Sequence, residues 1–302
     1  MVGMKIGLML PLGEDESGGW PNLREMAVAA DREGLDSVWG ADHLVFRSDD
    51  GAWRGIHESW TVLTAVAAVT ERVEIGPLVL ALPFRNPALT AKMAAELDAV
   101  SGGRLILGLG CGWHEPEFEA FGYPFGHRVG RFEEGLEILV PLLRGETVTL
   151  EGRWHRAEEA RLLPEPIRPG MPILIAGKQP RMLSLVARHA TAWNAAWYGD
   201  PADADELRAR LANLRAALDE AGRDPATLQM TAGIFVDTRD TDGAPKTAIR
   251  GSAEEIGDAL ARYGELGITH LIAHTWPRTP DAVARLAEAA AIARRRVAVS
   301  VA

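Results

Sequence analysis

Eight short apolar runs divide the chain, and each is followed by a stretch with helical spacing. The runs are Ile6–Pro11, Asp36–Gly40, Val73–Leu82, Leu105–Cys111, Ile173–Gly177, Trp193–Tyr198, Met230–Val236 and Thr269–His274. Between the first two, Leu23, Met26, Ala27 and Ala30 mark one face of a helix over Trp20–Glu33, which Gly34 closes as a C-cap. Further helices are predicted over Glu58–Thr70, Pro87–Val100, Val129–Leu143, Asp203–Ala221 and Pro280–Arg296. Another begins at Ser252, where Ser252 and Glu255 form a capping box. The long run in Val73–Leu82 suits a parallel strand buried on both faces. A strand–helix unit repeated eight times predicts an α/β fold, a (β/α)8 TIM barrel, as a single domain over residues 1–302. The repeat pauses at about 145–172. There ETVTLEGRWH alternates like a hairpin and LLPEPIRPG is proline-rich and extended. This segment is read as an insertion region after the fourth helix, packed over the barrel. Active sites of such barrels form at the carboxyl ends of the strands, so the residues closing each run are the functional shortlist.

Composition narrows the partners. The chain has 302 residues, 47% of them apolar, and a formal net charge of −10. That charge disfavours nucleic acid and anionic membranes. The N-terminal MVGMKIGLML lacks the layout of a signal peptide, and no run reaches about 18 apolar residues. The single cysteine, Cys111, allows no internal disulfide and suits a reducing compartment. A cytoplasmic enzyme acting on a small molecule is expected. Arg294–Arg296 are expected in the last turn of the closing helix, where cations favour its dipole.

Candidate chemistry clusters at strand ends. Asp42-His43 directly follows the second strand, where a histidine can serve as acid, base or hydrogen-bond donor; the alternative is a structural histidine in a capped loop. Gly108-Leu109-Gly110-Cys111-Gly112 lacks the G-x-G-x-x-G spacing. It would let a ring or phosphate approach the backbone at Gly110 and Gly112, or else permit tight barrel packing. Ala176-Gly177-Lys178-Gln179-Pro180-Arg181 joins the fifth strand to a helix and has the makings of an anion site. Leu82–Pro87, with Arg85, shapes a wall or a stiff turn. His270 and His274 share one strand face, but no third ligand is in sight, so no metal site is expected. Trp193 and Trp197 likewise share a face. Cys111 has no identified activating base, and no G-x-S-x-G motif is present.

With these residues in view, the sequence resembles the bacterial luciferase-like family of flavin and deazaflavin oxidoreductases. The resemblance is carried by GLDSVWGADH, ESWTVLTAVAAVTERVEIGPLVL, RNPALTAKMAAELDAVSGGRLILGLGCGW, FGHRVGRFEEGLEIL and PILIAGKQPRML, in family order across most of Met4–Asn194. Gly251–Ala273 is similar more loosely. The resemblance implies a barrel, often a homodimer, that binds FMN or coenzyme F420 at the strands' carboxyl ends, and the middle segments look closer to the deazaflavin branch. It implies that Asp42 and His43 lie by the deazaflavin ring. It implies a bulge or non-proline cis peptide near Leu80–Leu82, with Leu80 and Ala81 supporting the ring. Gly177, Lys178 and Gln179, beside Ala176, would receive the cofactor phosphate. The sugar-phosphate dehydrogenases of the family carry a catalytic Glu where this chain has Trp113, with Glu115 two residues on. They carry a Trp where it has Arg47, so sugar-phosphate oxidation is not expected.

The expected function is hydride transfer between coenzyme F420 and a small organic substrate. His43, Asp42 and Glu115 are the catalytic candidates. Cofactor contacts are expected from Asp42, Leu80, Ala81, Gly110, Gly112, Trp113, Ala176, Gly177, Lys178 and Gln179. Trp53, Trp113 and Trp197 suggest an aromatic pocket. The alternatives are a monooxygenase using reduced FMN and oxygen, and a non-catalytic flavin- or deazaflavin-binding protein.

Overall fold

The computed structural model describes residues 3–300. Eight parallel strands wind around one axis: β1 (Lys5–Met9), β2 (Ser37–Gly40), β3 (Glu74–Pro77, resuming at Leu80–Ala81), β4 (Leu107–Gly110), β5 (Ile173–Ala176), β6 (Ala192–Tyr198), β7 (Gln229–Asp237) and β8 (His270–Trp276). β8 pairs with both β7 and β1. The first half of β3 pairs with β2 and the second with β4, and a bridge from Ile75 to Leu105 completes the barrel. The break in β3 contains a non-proline cis peptide at Leu78–Val79. That is slightly earlier in the chain than the expected Leu80–Leu82.

Helices α1 (Gly19–Glu33), α2 (Ser59–Val69), α3 (Pro87–Val100), α4 (Arg128–Leu143), α5 (Pro180–His189), α6 (Asp205–Glu220), α7 (Ala253–Glu265) and α8 (Pro280–Ser300) follow their strands. Their ends are set by side chains on the sequence: Glu58 accepts from two amides of α2, Asn86 from two of α3, and Ser252–Glu255 form the capping box of α7. Arg294 and Arg296 lie inside α8 rather than in its last turn. Arg294 pairs with Asp36, and Arg296 with Glu254 and Asp258. The segment after α4 contains an antiparallel hairpin, Val148–Glu151 with Arg156–Ala160, and its turn is tied to α4 by amides of Arg153 and Trp154 donating to Glu134. No helix among the described residues is long and apolar enough to cross a membrane.

Two apolar layers hold the barrel. Alternate strand residues such as Ile6, Leu8 and Val38 pack outward under the helices. The others, including Met9, Trp39, Leu78, Ile106, Leu174 and Ile272, fill the lumen. Period two fails in β6. Its pairing with β7 shifts between Asn194 and Trp197, and Ala196 has φ 95°. Trp193 therefore packs in the outer layer and Trp197 in the lumen, not on one face as the spacing suggests.

The lumen also holds polar groups. Trp39 Nε1 donates to Ser37 Oγ at 2.7 Å, and that hydroxyl lies 2.7 Å from His270 Nε2. Burial lowers the pKa of His270 to about 3 and that of the half-buried His274 to about 4. Both stay neutral in the folded state, whereas in the unfolded chain they take up protons below about pH 6.5. Their contribution to stability is therefore complete above that pH and lost as pH falls towards the folded values. Acidification from pH 7 to 5 should cost about 2 kcal/mol through His270, and somewhat less through His274. Urea unfolding at both pH values checks this; equal midpoints would show that neither imidazole is kept neutral.

Candidate active site

At the carboxyl ends of the strands the lumen plug gives way to Ala41, Val79 and Trp197, which are only partly buried. They form an apolar floor. The loop after β2 leads into a hairpin, Val45–Arg47 with Trp53–Gly55, and the loop after β4 into a short helix, Glu115–Ala120. Together these two loops build one wall.

His43 is the centre of that wall. Its Nδ1 lies 3.0 Å from Glu117 Oε1, and the amide of Leu44 donates to Glu117 Oε2 at 2.9 Å. The Glu117 side chain is 1% exposed and that of His43 18%. An ionised carboxylate only accepts, so the pair sets Nδ1 as the protonated nitrogen and leaves Nε2 open to a ligand. Rings enclose the imidazole: Trp113 stands edge-on at 5.7 Å between centroids and Phe46 at 5.9 Å. Phe46 in turn stacks on His114 at 4.3 Å. The amide of Arg47 donates to His114 Nε2, and burial lowers the His114 pKa against the opposing pull of Glu117. His114 is thus a neutral, buried support.

Asp42 points away from the wall. Its carboxylate receives both Nη atoms of Arg85, at 2.7 and 2.8 Å, and the amide of Ala81 at 2.8 Å. Arg85 also reaches Glu58, the cap of α2. These bonds tie the end of β2 to the second half of β3 and orient the loop that carries His43.

Glu115 is exposed on the first turn of its helix, and Glu117 supplies the carboxylate instead. A helix advances about 100° per residue, so residues two apart face in nearly opposite directions. His114, Glu117 and Phe118 fall on one buried face of this turn, and Glu115 does not. Leu80 turns into the outer core, and Ala81 packs against Phe84 and Phe118. A Cβ at Gly110 would lie 2.6 Å from Val79, and one at Gly112 2.6 Å from Phe118, so both glycines are required by packing. Trp113 stands 62% exposed over the mouth. Trp197 stacks on Phe235 in a second aromatic group with His274 and Trp276, while Trp53 lies against Arg47 in the hairpin.

Ala176 ends β5 and Gly177 follows it, where Trp193 Nε1 donates to the Gly177 carbonyl. Lys178 and Gln179 are exposed and line a groove between α5 and α6. The arrangement fits a flat ring system with an anionic tail: an apolar floor of Ala41, Val79 and Trp197, one histidine with an open nitrogen, and a cationic loop at a helix N-terminus.

The sequence profile of the luciferase-like monooxygenase family matches residues 4–246. The F420-dependent glucose-6-phosphate dehydrogenase of Amycolatopsis mediterranei is 36% identical over 183 residues, 58% of this chain and 52% of that one. A phthiodiolone/phenolphthiodiolone dimycocerosates ketoreductase of Mycobacterium kansasii is 34% identical over 271 residues, 82% of this chain and 72% of its own. The chain spans 66% of the length of similar mycobacterial proteins and about half that of the dehydrogenase. In fold, an F420-dependent secondary alcohol dehydrogenase in complex with an F420-acetone adduct superposes with a TM-score of 0.83 at 20% identity, over 97% of this chain and 99% of that one. The profile match takes in every barrel strand except β8, and the chain therefore belongs to the luciferase-like monooxygenase family.

Proposed function

We propose that this chain is a deazaflavin-dependent oxidoreductase that transfers a hydride between coenzyme F420 and a small organic alcohol or carbonyl compound. The observation that carries the reading is the His43–Glu117 pair, buried on one side and open at Nε2 beside an apolar floor. The choice of F420 rests on the similarity to the F420-dependent dehydrogenase; the alcohol or carbonyl class rests on the activities for which the dehydrogenase and the ketoreductase are named. The family resemblance carries the homodimer into this proposal, and the single cysteine carries the cytoplasmic location.

Ala41, Val79 and Trp197 would lie under the ring, Trp113 beside it, and the Gly177–Gln179 loop near the phosphate. When bound, the deazaflavin supplies a two-electron hydride carrier. His43 Nε2 holds or returns the proton that the substrate oxygen exchanges in the same transfer. Glu117 fixes the tautomer and stabilises the imidazolium when it forms. Arg85 and Asp42 position the loop without touching the reacting atoms.

The test is a pair of fluorescence titrations with F420 and FMN. Binding of F420 at least about tenfold tighter, a difference of about 1.4 kcal/mol, is expected. Tighter FMN binding, with turnover that stops when oxygen is removed, would replace this reading with the monooxygenase one. Binding without turnover across alcohols and ketones would leave a carrier protein.

A further inference from the structure

We propose that a second cavity at the barrel mouth, beside β1 and β8, seats an uncharged and mostly apolar substrate, and that His274 selects it by hydrogen-bonding its one polar group. The inference rests on the proposed role of His43 at the same mouth.

The cavity has a volume of about 260 Å³. Apolar sides come from Met9, Leu10, Leu12, Ala41 and Phe46, and His274 reaches it from the end of β8. Phe46 lines it and stands edge-on to His43, with ring centroids 5.9 Å apart, so the cavity adjoins the imidazole. Its volume lies below the roughly 300–1,000 Å³ of pockets for drug-sized ligands, so the substrate is small.

Three carboxylates, Glu14, Asp15 and Glu16, line it against one cation, Arg54. Glu14 accepts the amide of Gly55, and Glu16 pairs with Arg278. An acidic rim disfavours anionic substrates.

Among the described lining residues, His274 carries a buried polar atom without a partner. Its Nε2 is buried and has no hydrogen-bond partner among the described residues. Buried polar atoms in native proteins are nearly always paired, and an exception calls for a ligand or a function. The ring is held in place by Trp276 at 4.9 Å and Trp197 at 6.0 Å, the latter stacked on Phe235 at 5.5 Å. Burial keeps the imidazole neutral at pH 7. A neutral imidazole offers one N–H and one acceptor, which suits a hydroxyl or a carbonyl and gives an anion no charge to pair with.

The experiment uses full-length protein loaded with oxidised F420 and three probes of one shape: benzyl alcohol, toluene and benzoate. Affinities are read by saturation-transfer NMR for wild type, His274→Phe and His274→Gln, each checked for folding. Wild type should bind benzyl alcohol and not benzoate. His274→Phe, which keeps an aromatic ring between the tryptophans, should weaken benzyl alcohol roughly three- to tenfold, the range of one net hydrogen bond, and leave toluene unchanged. His274→Gln should restore most of the alcohol affinity. F420 affinity should be the same in all three proteins.

Equal benzyl alcohol binding in wild type and His274→Phe would overturn the proposal. So would a parallel loss of toluene, which marks a structural role, or benzoate binding as tight as that of the alcohol. A loss of F420 affinity in His274→Phe would instead place His274 in the cofactor's site. Failure of wild type to bind F420 would sink the cofactor reading alone, and the same titrations on cofactor-free protein then decide this one.

Discussion

Replacing His43 by Ala should lower turnover by about 10²–10⁴-fold, the usual contribution of a positioned acid or base. The cofactor dissociation constant should move little, because the floor and the phosphate loop are separate from the imidazole. Glu117→Gln gives a sharper comparison. Both Glu117 oxygens accept, one from His43 Nδ1 and one from the Leu44 amide. Glutamine has one acceptor, and a backbone amide can only donate, so the acceptor goes to Leu44. The glutamine NH₂ then faces Nδ1 and favours the tautomer protonated at Nε2. Turnover in the direction that needs Nε2 as a base should fall by a similar factor, about 10²–10⁴, with the fold intact. Single-turnover kinetics and cofactor titration on each variant provide the check. Wild-type turnover in His43→Ala would remove it from the mechanism, and a matching loss of cofactor affinity would make it a binding residue.

Arg85→Leu should destabilise the protein by about 3–5 kcal/mol, the cost of leaving a buried carboxylate without its cation. The Asp42 side chain is 1% exposed and that of Arg85 14%. Without Arg85, Asp42 keeps only the Ala81 amide among its described partners. The double variant Asp42→Leu/Arg85→Leu should recover much of the loss, because neither charge is then buried alone. Urea unfolding measures both. A loss under about 1 kcal/mol, typical of an exposed pair, would show that water reaches the bridge. Since Asp42 precedes His43 in one loop, turnover in Arg85→Leu should fall more than cofactor affinity does.

The site was legible wherever one strand end carried its chemistry. Asp42-His43 was singled out because the run Asp36–Gly40 ends there, and β2 does end at Gly40. The partners were not legible in the same way. Glu117 lies 74 residues from His43 in sequence, and only pairing of β2, β3 and β4 around the barrel brings their loops together. The glycines at 108–112 left two uses open, and the approach of Val79 and Phe118 accounts for Gly110 and Gly112 by packing.

What the sequence by itself determined is the barrel, its order of strands and helices, the helix caps and the strand end bearing His43. Those signals are local: period, punctuation and capping act over a few residues, and each run carries its own. Tertiary structure alone decided which carboxylate meets His43, that Arg85 locks Asp42, and that Trp193 and Trp197 face opposite layers. Each depends on strand register or helix phase. A shift of one residue in β6 exchanges the lumen for the outer core, and no spacing within the strand records a bulge imposed by its pairing with β7.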